Sequence, residues 1–190
     1  MKLYFNPQSR AVIAKWMLDE TGAKYDIVPI DLQRKQQKSP EFLAINPAGK
    51  LPALVDGTVK VFENAAIGLY LGDKFPEAKL APPLDSPLRG RYLSLMVFST
   101  SQLEPAMGDA MSKTPTGPQR GWNDFDTSKD LIERELGQGP YLLGEQFTMA
   151  DIMIGSMFLW GRMLQSSSGR PKIEAYVDRL LARSKAMKLG

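Results

Sequence analysis

Apolar residues follow two different spacings in the first part of the chain. Short apolar runs at Leu3–Phe5 and Tyr25–Ile30 each predict a strand. Between them, apolar residues recur every three or four positions over 11–21, which predicts a helix that Gly22 ends. Strand, helix and strand in this order indicate the start of an α/β domain.

The stretch 46–64, NPAGKLPALVDGTVKVFEN, predicts a turn, a hairpin and the start of a helix. Leu51–Val55 and Thr58–Phe62 are apolar runs separated by Asp56-Gly57, a dipeptide that favours a tight hairpin because both residues tolerate positive φ. Pro52 cannot donate to a sheet ladder, so we expect it at an edge or a bend.

Two further helices complete this part of the chain. Ser39 is placed to cap a short helix with Pro40 in its first turn, and a longer helix runs from Glu63 to about Phe75. The predicted order β-α-β-α-β-β-α is that of a thioredoxin-like domain. The segment 76–87 that follows contains four prolines and little apolar periodicity, which indicates a linker.

From Leu88 onward the apolar residues recur at helical spacing. Prolines and glycines at 113–120 predict a break in the helices. Helices are predicted from Leu88 to Phe98, around Leu131–Leu136, from Thr148 to about Leu164, and over Pro171–Leu181. We therefore predict a thioredoxin-like domain at 1–76, a linker at 77–87 and an all-α domain at 88–190.

The composition excludes several kinds of chemistry. The chain has no cysteine and no histidine, so it offers no disulfide, no catalytic triad and no metal site with histidine or thiolate ligands. Its net charge of +3 is spread along the chain, which disfavours a nucleic-acid interface. No apolar run is long enough to span a membrane, and the first residues do not form a signal peptide, so we expect a soluble cytoplasmic protein.

The stretch 46–64 resembles the centre of the amino-terminal domain of glutathione transferases, and the resemblance extends into the helical half. In that family the proline before the third strand, here Pro52, follows a cis bond. An acidic residue and a small polar residue, here Glu63 and Asn64, open the next helix; the family more often has Ser or Thr where this chain has Asn64. The resemblance implies a fold with a thioredoxin-like domain followed by an all-α domain.

The same resemblance implies a group that holds the thiol of glutathione near the first helix. Ser9, in a segment similar to the Ser-Arg type of bacterial members, is the predicted catalytic residue, and Tyr4 and Asn6 are alternatives. Ser9 can equally be an N-cap. As a thiol partner it would donate to the sulfur, and Arg10 could add positive charge there.

The remaining predicted glutathione contacts also follow from the resemblance. Leu51 would pair its backbone with the cysteinyl unit next to Pro52, as an added strand does. Glu63 would bind the γ-glutamyl ammonium, and Asn64 with its N–H would bind the carboxylate. Lys50 and Lys38 are candidates for the glycine end, although Gln37 departs from the family's His-Lys pair.

Thr148 and Asp151 form a capping box of the S/T-x-x-acid kind, with Asp in place of the usual Glu. The motif resembles the buried cap of the same family, and we assign it to folding. Loss of a cap of this kind costs about 1–2 kcal/mol.

Two classes of function remain open. The first is a glutathione transferase that conjugates the glutathione thiolate to small hydrophobic electrophiles, with possible accessory peroxidase activity and a role in detoxification. Glutathione would be a cosubstrate, and neither a cofactor nor a metal is expected. The second is a non-catalytic binding module on the same scaffold. The resemblance also implies a homodimer, with one protomer's first domain against the other's helical domain.

The electrophile pocket is expected in the helical domain. Soft methionine and aromatic side chains suit varied apolar ligands. Five such residues are candidates for its lining, although ordinary core packing is the better explanation for most of them: Met107, Met111, Trp122, Trp160 and Met163.

Overall fold

The computed structural model describes residues 1–164 and 167–187. Among these residues, a mixed four-stranded sheet is followed by a helical region. The strands are β1 (Lys2–Phe5), β2 (Asp26–Pro29), β3 (Ala53–Asp56) and β4 (Val59–Phe62). The helices are α1 (Ala11–Thr21), α2 (Pro40–Leu43), α3 (Asn64–Lys74), α4 (Arg89–Phe98), α5 (Glu104–Met111), α6 (Phe125–Leu136), α7 (Met149–Met163) and α8 (Pro171–Leu181). None of these helices is long and apolar enough to cross a membrane.

The sheet has the strand order β2-β1-β3-β4. β1 is parallel to β2 and antiparallel to β3, and β3 pairs with β4 in the predicted hairpin. The β3 ladder begins at Ala53 rather than at Leu51, because Pro52 has no N–H to donate. The Leu51–Pro52 bond is cis, which confirms what the resemblance implied. The α/β amino-terminal fold with its helical continuation is confirmed.

The two faces of the sheet pack against different helices. Leu3 and Leu54 are fully buried in the main core, which also contains Trp16 of α1 and Ile67 of α3. A smaller cluster around Phe42 of α2 covers the other face. The start of β3 lies between these layers, so its backbone is held on both sides.

Most predicted helices have the expected bounds. The bounds of α1 and α8 match the prediction, and the segment 113–120 contains no helix. The chain between α3 and α4 holds only a short 3₁₀ turn at Pro76–Ala78. The domain boundaries at 76, 77–87 and 88–190 stay a prediction, and residues 165–166 and 188–190 of the second domain lie outside the described residues.

The sequence did not predict one feature of the helical region. α4 and α5 form one helical stretch, joined by a π-helical segment at Ser99–Leu103. Such a segment adds a residue to the turn, and these segments are frequent at functional sites. As a result, Glu104 at the start of α5 is directed differently from how a regular α-helix would direct it.

The predicted capping motif lies at the start of α7, a helix that is buried along most of its length. Asp151 is fully buried, and its carboxylate accepts hydrogen bonds from the backbone N–H groups of Leu142 and Thr148 at 2.9 and 2.8 Å. It also accepts from the hydroxyl groups of Thr148 and Tyr176, both at 3.0 Å. The carboxylate therefore joins α7, α8 and the loop before α7, which is more than a helix cap alone does.

Candidate functional site

A cavity of about 200 Å³ lies where the start of β3 meets the first turns of α1, α3 and α5. Six of the eight predicted site residues line it: Arg10, Lys50, Leu51, Pro52, Glu63 and Asn64. The other lining residues are Ile13, Asn46, Thr100, Glu104, Met153 and Met157. The residues come from both halves of the chain, so the cavity depends on how the helical region packs against the sheet domain.

Glu63 precedes α3 in a backbone conformation that is unusual for its residue type. Its φ is 68° and its ψ is 127°. A non-glycine residue at positive φ costs about 1–3 kcal/mol, and such residues cluster at ligand sites. Glu63 lines the cavity at the point where α3 begins.

Asn64, the first residue of α3, is buried beside it. Its Nδ2 donates to the Arg10 carbonyl at 3.1 Å, while its Oδ1 has no hydrogen-bond partner among the described residues. The free side-chain atom is therefore an acceptor, so it suits an ammonium better than the carboxylate expected from the sequence. The backbone N–H groups of the first helical turn remain suitable for a carboxylate.

The segment before β3 is fixed by a buried asparagine. Asn46 donates from Nδ2 to the Lys50 carbonyl at 2.8 Å and accepts from the Ala48 N–H at 3.0 Å, which closes the predicted turn. Leu51 lies outside the ladder that starts at Ala53. Its backbone thus lies beside the cavity outside the sheet ladder, where a peptide could pair with it.

Arg10 forms an ion pair across the cavity. Its Nη2 lies 2.8 Å from Oε1 of Glu104, and its Nη1 lies 3.5 Å from the Met157 sulfur. Burial raises the pKa of Glu104 above its ordinary value, Arg10 opposes that rise, and the nearby Glu63 adds to it. The cavity therefore contains the Arg10–Glu104 ion pair with a second carboxylate nearby, and Lys50 is a further cation in its lining.

Ser9 is not among the residues that line this cavity. Its hydroxyl donates to the Asn6 carbonyl at 2.7 Å and accepts from the Ala11 N–H at 3.2 Å, which is the cap-like role considered from the sequence. The two alternative thiol partners also make contacts within the protein. Asn6 donates to the Ile30 carbonyl at 2.8 Å, and Tyr4 packs edge-on against Phe42.

Lys38 also lies outside the lining. Its Nζ donates to the Ala48 carbonyl at 3.1 Å and rests against Gly49, whose φ is 60°. A Cβ at Gly49 would displace the lysine nitrogen, 2.6 Å away, and would clash with the Gln37 carbonyl oxygen at 2.9 Å. Lys38 therefore stabilises the turn before β3, and its effect on the cavity is indirect.

A second, mostly apolar cavity of about 270 Å³ lies between α5, α6 and α7. Met157 lines both cavities, so the two adjoin. Of the five candidate pocket residues, Met107 and Met111 line the second cavity. Trp160 and Met163 line a different groove, and Trp122 donates to Asp109 at 3.0 Å.

Glu104 is the charged lining residue that the sequence analysis missed. Glu104-Pro105 has the form of an ordinary helix start, and the polar run STSQ before it gives no sign of a π-helical segment. Its proximity to Arg10 joins residues 94 positions apart and depends on how the helical region, chiefly α7, packs against α1. No local pattern could have indicated it.

The fold and the cavity together define a two-part protein in which a thioredoxin-like sheet domain and a helical region share one binding site. The amino-terminal domain model of glutathione S-transferases matches residues 1–73, and the carboxy-terminal domain model matches residues 119–179. The chain belongs to the glutathione S-transferase family.

Individual relatives agree with this assignment. Glutathione S-transferase 3 of Zea mays is 32% identical over 166 residues, covering 80% of this chain and 73% of the relative. Glutathione S-transferase GstA of Escherichia coli O157:H7 is 25% identical, covering 96% of this chain and 94% of the relative. The solved structure of a sphingomonad glutathione S-transferase complexed with glutathione has a TM-score of 0.79 and 29% identity, covering 98% of this chain and 95% of the other.

Proposed function

We propose that this member of the family conjugates the thiolate of glutathione to small hydrophobic electrophiles. The observation that carries the proposal is that six of the residues which the resemblance implies line one cavity. The relatives named above are all called glutathione S-transferases, which supports an enzyme over a non-catalytic binding module. In this family glutathione is a substrate, and among the described residues no cluster of acidic side chains could hold a metal ion.

Each end of glutathione has complementary groups in the proposed complex. The γ-glutamyl ammonium meets the Glu63 carboxylate, and the buried Oδ1 of Asn64 is a second acceptor that an adjustment of the first turn of α3 would expose. The γ-glutamyl carboxylate meets the N–H groups at the start of α3. The cysteinyl unit pairs with the Leu51 backbone beside Pro52, which directs the sulfur toward the start of α1.

The electrophile would occupy the apolar cavity between α5, α6 and α7. Its position next to the first cavity, with Met157 common to both, supports attack by the sulfur without release of either substrate. Met107 and Met111 are adaptable surfaces that suit varied apolar groups. Reduction of peroxides by the same thiolate is a possible accessory activity.

Ser9 remains the proposed hydroxyl donor to the thiolate, and Lys38 and Lys50 remain proposed contacts for the glycine end. For Ser9 this role requires the hydroxyl to exchange the Asn6 carbonyl for the sulfur. That rotation costs one ordinary hydrogen bond, about 1 kcal/mol, and a bond to an anion is stronger.

Titration calorimetry with reduced glutathione tests the proposal. We expect a saturable heat with the wild-type protein, and turnover of a chromogenic aromatic halide when both substrates are present. Ser9→Ala is expected to bind glutathione normally and to lose about tenfold in kcat, the value of one charge-assisted hydrogen bond. No heat with millimolar glutathione would contradict the proposal, and heat without turnover would favour the binding module.

We further propose a cytoplasmic, detoxifying homodimer. Phe62 on β4 and Val97 on α4 are large apolar side chains that are 38% and 54% exposed. They lie in the first domain and the helical domain respectively, the two surfaces that the family resemblance pairs between protomers. Sedimentation equilibrium is expected to give twice the mass of 21.1 kDa for the wild type, and Val97→Glu is expected to give the monomer. A monomeric wild type would contradict the dimer alone.

A further inference from the structure

The polar groups of the glutathione cavity are not all used by the proposed complex. When the γ-glutamyl and cysteinyl backbone groups are bound at β3 and α3, the wall of the cavity nearest the start of α1 has no contact assigned to it. Its apolar members are Ile13, Met153 and Met157, and its polar members are Arg10, Thr100 and Glu104. The Thr100 hydroxyl donates to the Val97 carbonyl at 3.1 Å. The charged pair formed by Arg10 and Glu104 therefore remains available to a thiol.

We propose that Glu104 is a catalytic residue that accepts the thiol proton of bound glutathione, while Arg10 transfers its charge pairing from Glu104 to the new thiolate. The proposal rests on the proposed function, because it takes the sulfur to face the start of α1. It adds a residue on the helical side of the cavity that acts in addition to Ser9.

The proton transfer balances without any further reactant. The S–H bond of glutathione breaks, its electron pair stays on sulfur, and an O–H bond forms on the Glu104 carboxylate. Before the step Arg10 is paired with a carboxylate at 2.8 Å, and after it with a thiolate. The net charge of the cavity does not change. When the thiolate attacks an aromatic halide, halide leaves as the anion and Glu104 returns its proton to water.

Two properties of Glu104 suit this role. An ordinary thiol has a pKa of about 8.5 and an ordinary glutamate about 4.3, so the transfer is uphill by about 6 kcal/mol in water. Burial and the neighbouring Glu63 raise the pKa of Glu104, and the Arg10 guanidinium lowers the pKa of a thiol beside it, so both effects narrow this gap. The Glu104 side chain is also 33% exposed, which leaves its proton a route to water.

A different role for Glu104, as a second anchor for the γ-glutamyl ammonium, is less consistent with the contacts. Glu63 and the Oδ1 of Asn64 already supply two acceptors at the start of α3. The charge of Glu104 is compensated by Arg10, whereas an ammonium needs an uncompensated carboxylate. The two roles also predict different kinetics, so experiment can separate them.

The first experiment compares the wild type with Glu104→Gln, which keeps the shape and removes the proton acceptor. We expect glutathione to bind with unchanged affinity, kcat to fall about 100-fold, and the ultraviolet thiolate band of the bound tripeptide to appear only at higher pH. Glu145→Gln, at an exposed position outside both cavities, is the matched control and is expected to behave as the wild type. An unchanged kcat and thiolate titration in Glu104→Gln would overturn the proposal.

Cysteinylglycine, which lacks the γ-glutamyl unit, separates the two roles of Glu104. If Glu104 accepts the thiol proton, the ratio of wild-type to Glu104→Gln rates persists with this shorter thiol. If the ratio returns to one, Glu104 serves the ammonium and the proposal is wrong. Failure of the wild type to bind or turn over glutathione would instead contradict the proposed function itself.

Glu104→Asp is the second variant, and it is decisive if the glutamine protein does not fold. It keeps a negative charge on the Arg10 side of the cavity but withdraws the carboxylate by one methylene. We expect unchanged glutathione affinity, a wild-type melting midpoint and a kcat lowered about tenfold, because a proton acceptor must reach its donor. A kcat equal to that of the wild type would overturn the proposal.

Discussion

Replacing Asp151 by alanine is expected to lower the free energy of unfolding by about 4 kcal/mol, because buried donors left without an acceptor cost about 1–3 kcal/mol each. The variant would leave the backbone N–H groups of Leu142 and Thr148 without their acceptor inside the protein. This is more than the 1–2 kcal/mol expected from the capping motif alone. Chemical denaturation measures the difference.

The control for this variant is Asp85→Ala, at an exposed aspartate between α3 and α4. A surface substitution of this kind is expected to change the free energy of unfolding by less than about 0.5 kcal/mol. A loss below about 1.5 kcal/mol for Asp151→Ala would indicate that the carboxylate is only a helix cap.

The loss of stability in Asp151→Ala is expected to depend on pH. Burial raises the pKa of Asp151 to about 6, against the hydrogen bonds that lower it. Because the folded protein then binds this proton more tightly than the unfolded chain, the carboxyl group adds stability as the pH falls through 6. The gap between wild type and Asp151→Ala is thus expected to widen by about 1 kcal/mol between pH 7 and pH 5. A gap that narrows would show that the ionised form is the favoured one.

Substitution of Glu63 is expected to have the largest effect on glutathione binding. Removing the carboxylate would take away the proposed charged partner of the γ-glutamyl ammonium, and hydrogen bonds to charged groups are worth about 1.5–3 kcal/mol. Glu63→Ala and Glu63→Gly should therefore each weaken glutathione binding about 10- to 100-fold in calorimetry.

These two variants differ in backbone strain alone. Glycine relieves the positive φ of 68° at this position and alanine does not. We expect Glu63→Gly to be more stable than Glu63→Ala by about 1 kcal/mol, with equal loss of affinity. If both variants bind glutathione as the wild type does, Glu63 is not an ammonium site. If their stabilities are equal, the backbone at this position stores no strain.

Much of the fold could be predicted because its signals are local. The Asp56-Gly57 turn, the glycine after α1 and the proline in the first turn of α2 each act on neighbouring residues, and each predicted element is present. Pro52 shows the limit of this approach. Its strand was predicted to start one residue before it, whereas pairing starts after it at Ala53.

The site was harder to predict, because its members meet only through tertiary packing. Residues near β3 and α3 could be identified since one continuous stretch carries them. Glu63 has a positive φ that the preferences of glutamate do not predict. The amide N–H group of Asn64 donates to the Arg10 carbonyl, just before α1, and so is already used within the protein. Glu104 could not be predicted because it meets Arg10 only when the two halves of the chain pack together.

The π-helical segment at Ser99–Leu103 means that chain length, as well as residue identity, decides which side chain at the start of α5 lines the cavity. Each residue advances an α-helix by about 100°, so losing one residue here would rotate all of α5 by that angle. Helix α4 would keep its buried face, while a different side chain would take the place of Glu104. If Glu104 accepts the thiol proton as proposed, a relative could change its thiol chemistry through a single codon deletion, with the cavity residues of the sheet domain preserved.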